Sequence, residues 1–427
     1  MREMKDSGVA WIGEIPVQWG VVYLSSIVSK RKHKNEGMKE NNLLSLSYGN
    51  VVRKNINTSD GLLPANFEGY NIIELGDIVL RLTDLQNDHT SLRTGLCKEK
   101  GIITSAYVTL NVDNDIFSSD YLHYLMHSFD CCKGFYGMGS GVRQGLNYDG
   151  IKKIEILMPD KTTQQKIAAH LDRKCTQIDA LISNAQQQIE KLKAYKQSVI
   201  TETVTKGLDP DVQMKDSGVE WIGEIPGNAE LTKVSHLFNL ILGKMVSPTK
   251  SKADETLESY FCAANVHFDD LQYDKLKTMW FDSNEKETYL VQKGDLLVVE
   301  GGAGAGGSHI VEKDIENCYV QNSVMIVRRK KHVPEKWLYY IIYMLVKNNY
   351  IDYVCNKATI PHFTKDKLNN TPVVFYKEEQ MKKMIAYLDH KCSRIDKLIA
   401  LKQQKIEKLQ QYKKSLIYEY VTGKKEV

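Results

Sequence analysis

The sequence predicts an α+β protein in which two α/β blocks are joined by two long antiparallel coiled-coil helices, with pseudo-two-fold symmetry. Three observations predict this fold class. A helical pattern with a 3.5-residue apolar repeat occurs twice, and a thirteen-residue segment occurs twice. Each copy of that segment is followed by a block that contains candidate strands. The chain is therefore predicted to contain one structural unit written twice.

The two helical patterns run from about Thr163 to Thr205 and from about Glu378 to Val421. In each pattern, apolar residues recur at alternating steps of four and three, which is the seam of a left-handed coiled coil. Most other positions are charged or amide residues, so an unpaired helix would expose its apolar stripe to water. We expect the helices to pair with each other rather than to pack as two separate surface helices. The predicted seam residues are Leu171, Ile178, Ile182, Ile189, Leu192, Leu388, Ile395, Ile399, Ile406 and Leu409.

The repeat sets the predicted domain boundaries. MKDSGVAWIGEIP at Met4–Pro16 recurs as MKDSGVEWIGEIP at Met214–Pro226, with twelve identities in thirteen positions. LDRKCTQIDALI recurs 217 residues later as LDHKCSRIDKLI. We call each copy of this thirteen-residue segment a marker. The predicted divisions are residues 1–160 (marker and first block), 161–206 (first helix), 207–376 (marker and second block) and 377–427 (second helix).

The chain order predicts how these parts are arranged. A helix of some forty residues is roughly 60 Å long. The second marker follows the first helix at once, which places the second block at the far end of that helix. The second helix starts where the second block finishes, so it most simply runs back antiparallel. The expected shape is a dumbbell with one block at each end of a helical rod.

Candidate strands have matching positions in the two blocks. In the first block they are Leu43–Tyr48, Asp77–Leu82, Ile102–Val112 and Ile151–Met158. Their counterparts are Tyr260–Val266, Asp295–Val299, Tyr319–Arg328 and Thr371–Tyr376. Each block also carries an aromatic-rich amphipathic helix, which begins near Asp120 in the first and near Pro334 in the second.

Composition narrows the class of protein. A chain of 427 residues with 42% hydrophobic residues can bury two or three cores. It has neither a long apolar run nor a signal-peptide pattern, so we expect a cytoplasmic protein without a membrane partner. The eight cysteines lack a C-x-x-C pair, which predicts reduced thiols and no metal site. The net charge of +4 permits a nucleic-acid partner but does not require one.

The motif search predicts no catalytic residues. Gly302, Gly304 and Gly307 satisfy G-x-G-x-x-G after a candidate strand, but the following residues lack the helical period that a dinucleotide site requires. Neither a nucleophile elbow nor an H-E-x-x-H motif occurs. We therefore expect the glycine-rich segment around Gly302, Gly304 and Gly307 to be a flexible loop.

Polar loops at matching places of the two blocks predict DNA contacts instead. Arginine can pair with guanine and asparagine or glutamine with adenine, although a single polar loop residue is more often merely solvated. The first-block candidates are Arg81, Thr83, Asp84, Gln86, Asn87, Arg93, Thr104, Ser105, Arg143 and Gln144. The second-block candidates are Lys250, Asn265, His267, His309, Gln321, Asn322, Lys357, Thr359 and His362.

Over essentially its whole length the chain resembles the specificity (S, HsdS) subunits of Type I restriction–modification systems. The doubled SGVxWIGEIP, the doubled LDxKCxxIDxLI, and phrases such as GDIVLRLTDLQND, YVQNS and ATIPHFTKDKL carry this resemblance. It implies that each block is a target-recognition domain that reads one half of a bipartite asymmetric site in double-stranded DNA. The helices would set the separation of the half-sites. The first block lacks the glycine-rich EGG loop that begins at Glu300 in the second block, so the DNA contacts of the two blocks are expected to differ.

The resemblance also implies partners and leaves this chain without catalytic activity. Two methyltransferase subunits would dock on the spacer helices, bind S-adenosylmethionine and methylate adenine. Two restriction subunits that use ATP and Mg²⁺ are a further possibility, and this chain would hold no cofactor. The alternatives are a freestanding methyltransferase, which the motif search disfavours, and a non-catalytic coiled-coil scaffold that binds protein ligands.

Overall fold

The computed structural model describes residues 2–427 except 58–63, 65, 89–90, 140–144, 331, 352–354 and 356–361. The chain divides into two compact units. Unit 1 comprises Met1–Gln186 and Gln403–Val427, and unit 2 comprises Gln187–Lys402. Each unit therefore combines one block with segments of both long helices.

The secondary structure of the two blocks follows a similar order, although the α-helix Ser283–Tyr289 of unit 2 has no counterpart in the described part of unit 1. The strands of unit 1 are β1 (Met4–Asp6), β2 (Glu14–Pro16), β3 (Gly20–Tyr23), β4 (Val28–Lys30), β5 (Leu44–Ser47), β6 (Asn50–Arg53), β7 (Asn71–Ile73), β8 (Ile78–Leu80), β9 (Thr94–Leu96), β10 (Gly101–Ile103), β11 (Val108–Val112) and β12 (Glu155–Met158). Those of unit 2 are β13 (Met214–Asp216), β14 (Glu224–Pro226), β15 (Glu230–Lys233), β16 (Phe238–Leu242), β17 (Thr256–Phe261), β18 (Lys277–Phe281), β19 (Leu296–Val299), β20 (Ser308–Ile310), β21 (Cys318–Val320), β22 (Val324–Arg329) and β23 (Pro372–Phe375). The α-helices are α1 (Ser119–Cys131), α2 (Tyr148–Ile151), α3 (Lys161–Lys206), α4 (Val234–Leu237), α5 (Ser283–Tyr289), α6 (Glu335–Lys347), α7 (Lys365–Asn370) and α8 (Glu378–Val421).

The sheets repeat as well. A four-stranded sheet has the order β4-β11-β8-β9 in unit 1 and β16-β22-β19-β20 in unit 2. The ribbon β1-β2 has its counterpart in β13-β14, and the pair β3-β12 in β15-β23. The two blocks have diverged in sequence but keep the same strand order in these sheets. The repeat found in the sequence is therefore also a repeat of the fold.

The α/β prediction for the blocks is wrong in one respect. The strands of the described residues pair antiparallel, except that β17 and β21 run parallel. Short strands joined by turns allow this arrangement, whereas an α/β block requires helical crossovers between parallel strands. The mixture of helix and sheet is confirmed, and the arrangement within each block is α+β.

Two predicted strands are each broken into two. Ile102–Val112 divides into β10 and β11, which belong to different sheets. Tyr319–Arg328 divides in the same way into β21 and β22. The breaks fall at the aligned Ser105 and Ser323. An apolar run that changes sheets cannot be distinguished from one long strand by periodicity alone, which explains the error.

A Gly-Asp pair forms the same turn in both units. Gly76 and Gly294 have φ values of 87° and 93°, which a residue with a side chain rarely adopts. The next residues, Asp77 and Asp295, are buried, and each carboxylate accepts a hydrogen bond from the backbone N–H three residues earlier, at 2.8 and 2.7 Å. These contacts fix the start of the central strands β8 and β19.

An arginine neutralises each buried carboxylate, but the arginine comes from a different strand in each unit. In unit 1, Arg31 follows β4 and donates to both Asp77 and Asn111 at 2.7 Å. In unit 2, Arg328 occupies the position on β22 that corresponds to Asn111, and it donates to Asp295 at 2.7 Å. Both units therefore contain the ion pair, although its arginine belongs to a different strand in each unit.

The long helices complete the core of both units. In unit 1, α3 residues such as Leu171 and Ile178 share one core with α8 residues such as Leu416 and with α1. In unit 2, Ile200 of α3 shares a core with Leu388 of α8 and with α6. Among the predicted seam residues, the buried ones are Leu171, Ile178, Ile189, Leu388, Ile395 and Ile406, and the partly buried ones are Ile182, Leu192, Ile399 and Leu409.

Repeated polar contacts fix the helices within each unit. In unit 1, Lys413 donates to Asp179 at 2.7 Å. In unit 2, the equivalent Lys196 donates to Asp396 at 2.9 Å, and Lys402 donates to the amide oxygen of Gln188. In unit 1 the rings of His170 and Tyr420 are also in contact, with centroids 4.6 Å apart. In each unit, residue numbers that rise on α3 therefore pair with numbers that fall on α8, so the helix segments run antiparallel.

The aromatic-rich helices pack on the beginning of the long helices. The Tyr124 hydroxyl of α1 donates to Asp172 at 2.7 Å, and the Tyr340 hydroxyl of α6 donates to Asp389 at 2.6 Å. Burial and the adjacent carboxylate raise the pKa of both tyrosines. Pro334 is the N-cap of α6, one residue before the helix begins at Glu335, whereas the sequence predicts that the helix begins with this proline. Among the described helices, none is long and apolar enough to cross a lipid bilayer.

The two helix ion pairs are expected to differ in strength. The Lys196 side chain is 10% exposed, whereas that of Lys413 is 28% exposed. Asp396→Ala should lower the free energy of unfolding by about 1–2 kcal/mol, because it leaves a buried ammonium without its partner. Asp179→Ala should cost less than about 1 kcal/mol. Calorimetric melting of both variants tests this order, with Glu407→Ala as the surface control. Equal losses for the two aspartates would contradict it.

Candidate nucleic-acid interface

The polar loop after β8 presents several of the predicted DNA-contact residues. Thr83, Gln86 and Asn87 are exposed. Asp84 has a φ of 57°, and its carboxylate accepts a hydrogen bond from the Asn87 side chain at 2.8 Å. Arg81 is half-exposed, and its guanidinium lies 3.9 Å from an Asp88 carboxylate oxygen. The loop is thus ordered by its own side chains and keeps polar groups at the surface.

Arg93 is not a surface residue, which corrects its prediction as a DNA contact. It is fully buried, and its guanidinium donates to the backbone carbonyls of Thr83, at 2.7 Å, and of Asp88. Its own N–H donates to Asp130, a carboxylate whose pKa is raised by burial to about 6. Arg93 therefore supports the 81–88 loop from beneath, and its donors are not available to base edges.

The same connection joins this loop to a later segment in both units. In unit 1, the N–H of Leu146 donates to the carbonyl of Leu82 at 2.8 Å. In unit 2, the N–H of Phe363 donates to the carbonyl of Glu300 at 2.6 Å. In unit 2 this bond places His362 beside the glycine-rich loop, since His362 is exposed and its backbone bridges to Gly301.

The turn between β21 and β22 forms a second polar cluster in unit 2. The Gln321 amide donates to the Asn322 side chain, and the Ser323 hydroxyl donates to Gln321. The Ser323 carbonyl accepts a hydrogen bond from the N–H of Glu300 at 2.9 Å. The turn therefore lies beside the glycine-rich loop, and both half-exposed amides belong to one polar surface. In unit 1 the equivalent turn contains Thr104, which is half-buried, and the exposed Ser105.

The glycine-rich segment does not have the structure of a dinucleotide site. Gly302 and Gly306 have positive φ values, and the N–H of Gly307 donates to the carbonyl of Gly304 at 2.8 Å. The segment leads into β20, whereas a dinucleotide site needs a helix whose N-terminus faces the pyrophosphate. Gly301 lies so close to His362 that a Cβ there would be 2.5 Å from the imidazole.

Other second-block candidates are distributed over different parts of unit 2. Asn265 is buried and hydrogen-bonds the backbone at residues 262 and 275, so its prediction as a DNA contact is wrong. His309 is half-buried on β20 and lines a cavity beside α8 rather than the polar surface. His267 is exposed, and Lys250 lies over the Trp280 ring at 5.4 Å. Arg143, Gln144, Lys357 and Thr359 lie outside the described residues.

Unit 1 also contains a histidine pair that the sequence patterns do not predict. His123 and His127, one turn apart on α1, line a cavity of about 420 Å³ together with Asp172 and Lys413. Burial, together with nearby cations, lowers the pKa of His123 to about 3 and that of His127 to about 4. In α6 the equivalent residues are Tyr339 and Tyr343. Within the described part of the chain, no cluster of three or more potential ligands could hold a metal ion.

Comparison with known proteins identifies relatives of the chain. No family model matches it. It is 25% identical over 335 residues to the type I restriction enzyme MjaVIII specificity subunit of Methanocaldococcus jannaschii, which covers 76% of this chain and 75% of that protein. It is 23% identical over 428 residues to the putative MjaX specificity subunit of the same organism, with 97% and 95% covered. The chain is therefore similar in sequence to type I restriction specificity subunits over most of its length.

Two solved structures show a fold similar to that of this chain. A chain from a study of complex assembly and conformational transition of the type I R-M system matches with a TM-score of 0.70 and 12% identity, over 95% of this chain and 98% of that one. The HsdS subunit from Thermoanaerobacter tengcongensis matches with a TM-score of 0.50 and 13% identity, over 96% and 98%.

The histidine pair should make the stability of unit 1 sensitive to acid. Above pH 6.5 both imidazoles are neutral whether the chain is folded or unfolded, so they add no pH dependence. Below that pH the unfolded chain takes up protons that the folded chain resists, and stability is lost as the pH falls towards 4 and 3. The expected loss at pH 5 is about 1–2 kcal/mol for each imidazole.

Urea unfolding at pH 7.5 and pH 5 measures this loss. The double variant His123→Gln/His127→Gln carries neutral side chains at both pH values, so its stability should decline less on acidification than that of the natural chain. The same decline in both proteins would show that other groups are responsible.

Proposed function

We propose that this chain is the DNA-recognition subunit of a type I restriction–modification complex. Each block, as a target-recognition domain, reads one half of a bipartite asymmetric site in double-stranded DNA, and the paired helices set the distance between the halves. The observation that carries the proposal is the duplicated unit with unlike polar loops, in a chain homologous to specificity subunits over 97% of its length. The repeated fold would place both blocks on DNA in the same way, and the different loops would recognise two different half-sites.

The loop surfaces have the chemistry that base recognition needs. Amide side chains form paired hydrogen bonds with adenine, and arginine does so with guanine. Unit 2 presents Gln321 and Asn322 beside the glycine-rich loop, and unit 1 presents Arg81, Gln86 and Asn87. The turn that holds Gln321 and Asn322 has its equivalent at Thr104 and Ser105 in unit 1, and the loop that holds Arg81, Gln86 and Asn87 has its equivalent in the glycine-rich loop of unit 2. Because the residues at each pair of equivalent places differ, the two blocks would prefer different bases.

The long helices carry the positive charge that attracts phosphates. Helices α3 and α8 each have a net charge of +4, while the whole chain has +4, so the remaining residues carry −4. Since DNA affinity depends strongly on cations near the phosphates, we propose that the helices contribute to the attraction and the loops to the choice of sequence.

The catalytic steps belong to partner chains in this proposal. One solved neighbour comes from a type I R-M complex, which supports an assembly with other subunits. Two methyltransferase subunits would dock on α3 and α8, bind S-adenosylmethionine and methylate adenine. Two restriction subunits, which use ATP and Mg²⁺, would join the complex through them. This chain would then act by positioning its partners on DNA and would itself catalyse no step.

A non-catalytic coiled-coil scaffold that binds protein ligands is the alternative. It shares the paired helices with the first proposal but needs no sequence-specific DNA contact. The two functions differ in one measurement: a gel shift with the methyltransferase partner present. The scaffold predicts the same binding to every DNA sequence, whereas the recognition subunit prefers its own target at moderate salt.

Lengthening both helices should lengthen the DNA spacer. One heptad inserted after Gln187 in α3, together with one after Lys402 in α8, keeps the apolar seam in phase and adds about 10 Å of helix. The preferred spacer should grow by about three base pairs, with both half-sites unchanged. Mapping of methylated adenines in genomic DNA measures this. An unaltered spacer in a stable double-insertion variant would contradict the role of the helices.

Exchanging one block should change one half-site. Replacement of Val21–Asp160 by the corresponding block of another specificity subunit retains α3 and α8, so assembly with the methyltransferase should persist. The methylated motif should change in one half and remain the same in the other. The reciprocal exchange of Leu231–Tyr376 is the matched control, and it should change only the other half. A motif altered in both halves by either exchange would refute the assignment of one half-site to each block.

A further inference from the structure

Two consecutive apolar side chains project into solvent from unit 2 just after β16. Met245 is 74% exposed and Val246 is 54% exposed. Single exposed apolar residues are common on protein surfaces, but two in a row on an otherwise polar loop lose hydrophobic free energy unless a partner covers them. They belong to no site considered above.

The backbone on the near side of this pair is held rigidly. Gly243 packs so closely on the turn after β21 that a Cβ would lie 2.5 Å from the carbonyl oxygen of Gln321. Lys244 is largely buried, and its ammonium donates to the Trp280 carbonyl at 2.7 Å and to Glu285 at 2.6 Å. On the far side, the carbonyl of Ser247 accepts a hydrogen bond from the N–H of Trp280. Met245 and Val246 are therefore held outward between fixed points.

The pair lies directly beside the amide cluster. The carbonyl of Lys244 accepts a hydrogen bond from the N–H of Asn322 at 2.8 Å, and the N–H of Lys244 donates to Val320 at 3.0 Å. The residue next to this bond is Met245. An exposed thioether side chain and two half-exposed amides, those of Gln321 and Asn322, consequently share one edge of unit 2.

An A·T base pair offers partners for both kinds of group at once. In the major groove, adenine presents an acceptor and a donor that pair with an asparagine or glutamine amide, and thymine presents its 5-methyl group to apolar side chains. Methionine is flexible and polarizable, which suits contact with a methyl group. We infer that Met245 packs on a thymine methyl group in the half-site read by unit 2 and selects an A·T pair there. This inference rests on the proposed function.

Unit 1 lacks the corresponding apolar group. The pairing of β4 with β11 matches that of β16 with β22, so Lys30 corresponds to Leu240. Five residues further on, unit 1 has Asn35, whose N–H donates to the carbonyl of Tyr70 at 3.0 Å, whereas unit 2 has the exposed Met245. Asn35 is fully buried, and its amide donates to the backbone of Glu40 at 2.9 Å. The contact is thus specific to unit 2, and only one half-site should depend on it.

Replacing thymine by uracil removes the methyl group and nothing else, which isolates the contact. The protein is the full chain assembled with its methyltransferase partner, and the probe is a duplex carrying the methylation-mapped target. Each thymine of the half-site assigned to unit 2 by block exchange is replaced in turn, and Kd is measured by fluorescence anisotropy. At one thymine, the substitution should weaken binding by the natural protein about fourfold. Met245→Ala should weaken binding to the thymine duplex to a similar degree and should lose nothing more on uracil.

The controls separate this contact from general effects. Leu231→Ala truncates another partly exposed apolar residue on β15, and this variant should remain as sensitive to uracil as the natural protein. If the natural protein is indifferent to uracil at every position, or if Met245→Ala responds as the natural protein does, the inference is wrong. A half-site without an A·T pair would also overturn it. Equal binding to target and scrambled duplexes would instead refute the proposed function, and this inference with it.

Discussion

Each unit depends on burying apolar residues of both long helices. Leu171 at the beginning of α3 and Leu416 near the end of α8 belong to the core of unit 1, while Leu388 and Ile200 do the same in unit 2. Neither block could therefore complete its core with the helix that directly follows it. The chain must be translated to its C-terminal helix before unit 1 is complete, and the hydrophobic free energy of both units is tied to the pairing of the helices.

The repeated polar contacts give this apolar pairing its direction. A seam of leucine and isoleucine tolerates several registers, since one apolar step resembles another. The Lys413–Asp179 and Lys196–Asp396 pairs restrict the choice, because a shift of one heptad would separate an ammonium from its carboxylate. Charged pairs of this kind contribute little net stability but select one arrangement among several. The buried carboxylates of Asp77 and Asp295 must likewise be neutralised. Arg31 and Arg328 do this from different strands, because the position of the arginine in the sequence can vary as long as its guanidinium reaches the carboxylate.

Sequence reasoning recovered the features that are encoded by local repeats. The long helices extend within two residues of the predicted limits, because seam positions recur with a period that only a helix satisfies. The turns at Ser105 and Ser323 were placed inside the candidate strands Ile102–Val112 and Tyr319–Arg328, since the change of sheet depends on partners distant in sequence. Arg93 was misjudged for a similar reason. Its guanidinium is enclosed by carbonyl groups of the preceding loop, and composition alone does not distinguish such an arginine from an exposed one.

The cavity lined by His123 in unit 1 and the cavity lined by His309 in unit 2 occupy equivalent places beside the long helices but differ in their charged residues. Both contain the same tyrosine–aspartate pair, at Tyr124 in unit 1 and Tyr340 in unit 2, but the surrounding charges are reversed. Unit 1 has Lys98 with Asp120, and unit 2 has glutamate and lysine at the matching positions 312 and 336. A partner that treats both units alike cannot rely on these charges, because a contact favourable in one unit would be repulsive in the other. Such a partner must use the repeated groups of α3 and α8, which leaves the diverged surfaces free to differ. The tyrosine–aspartate hydrogen bond that joins block to helix is thus retained in both units, whereas the charges at positions 98 and 120 of unit 1 are exchanged at positions 312 and 336 of unit 2.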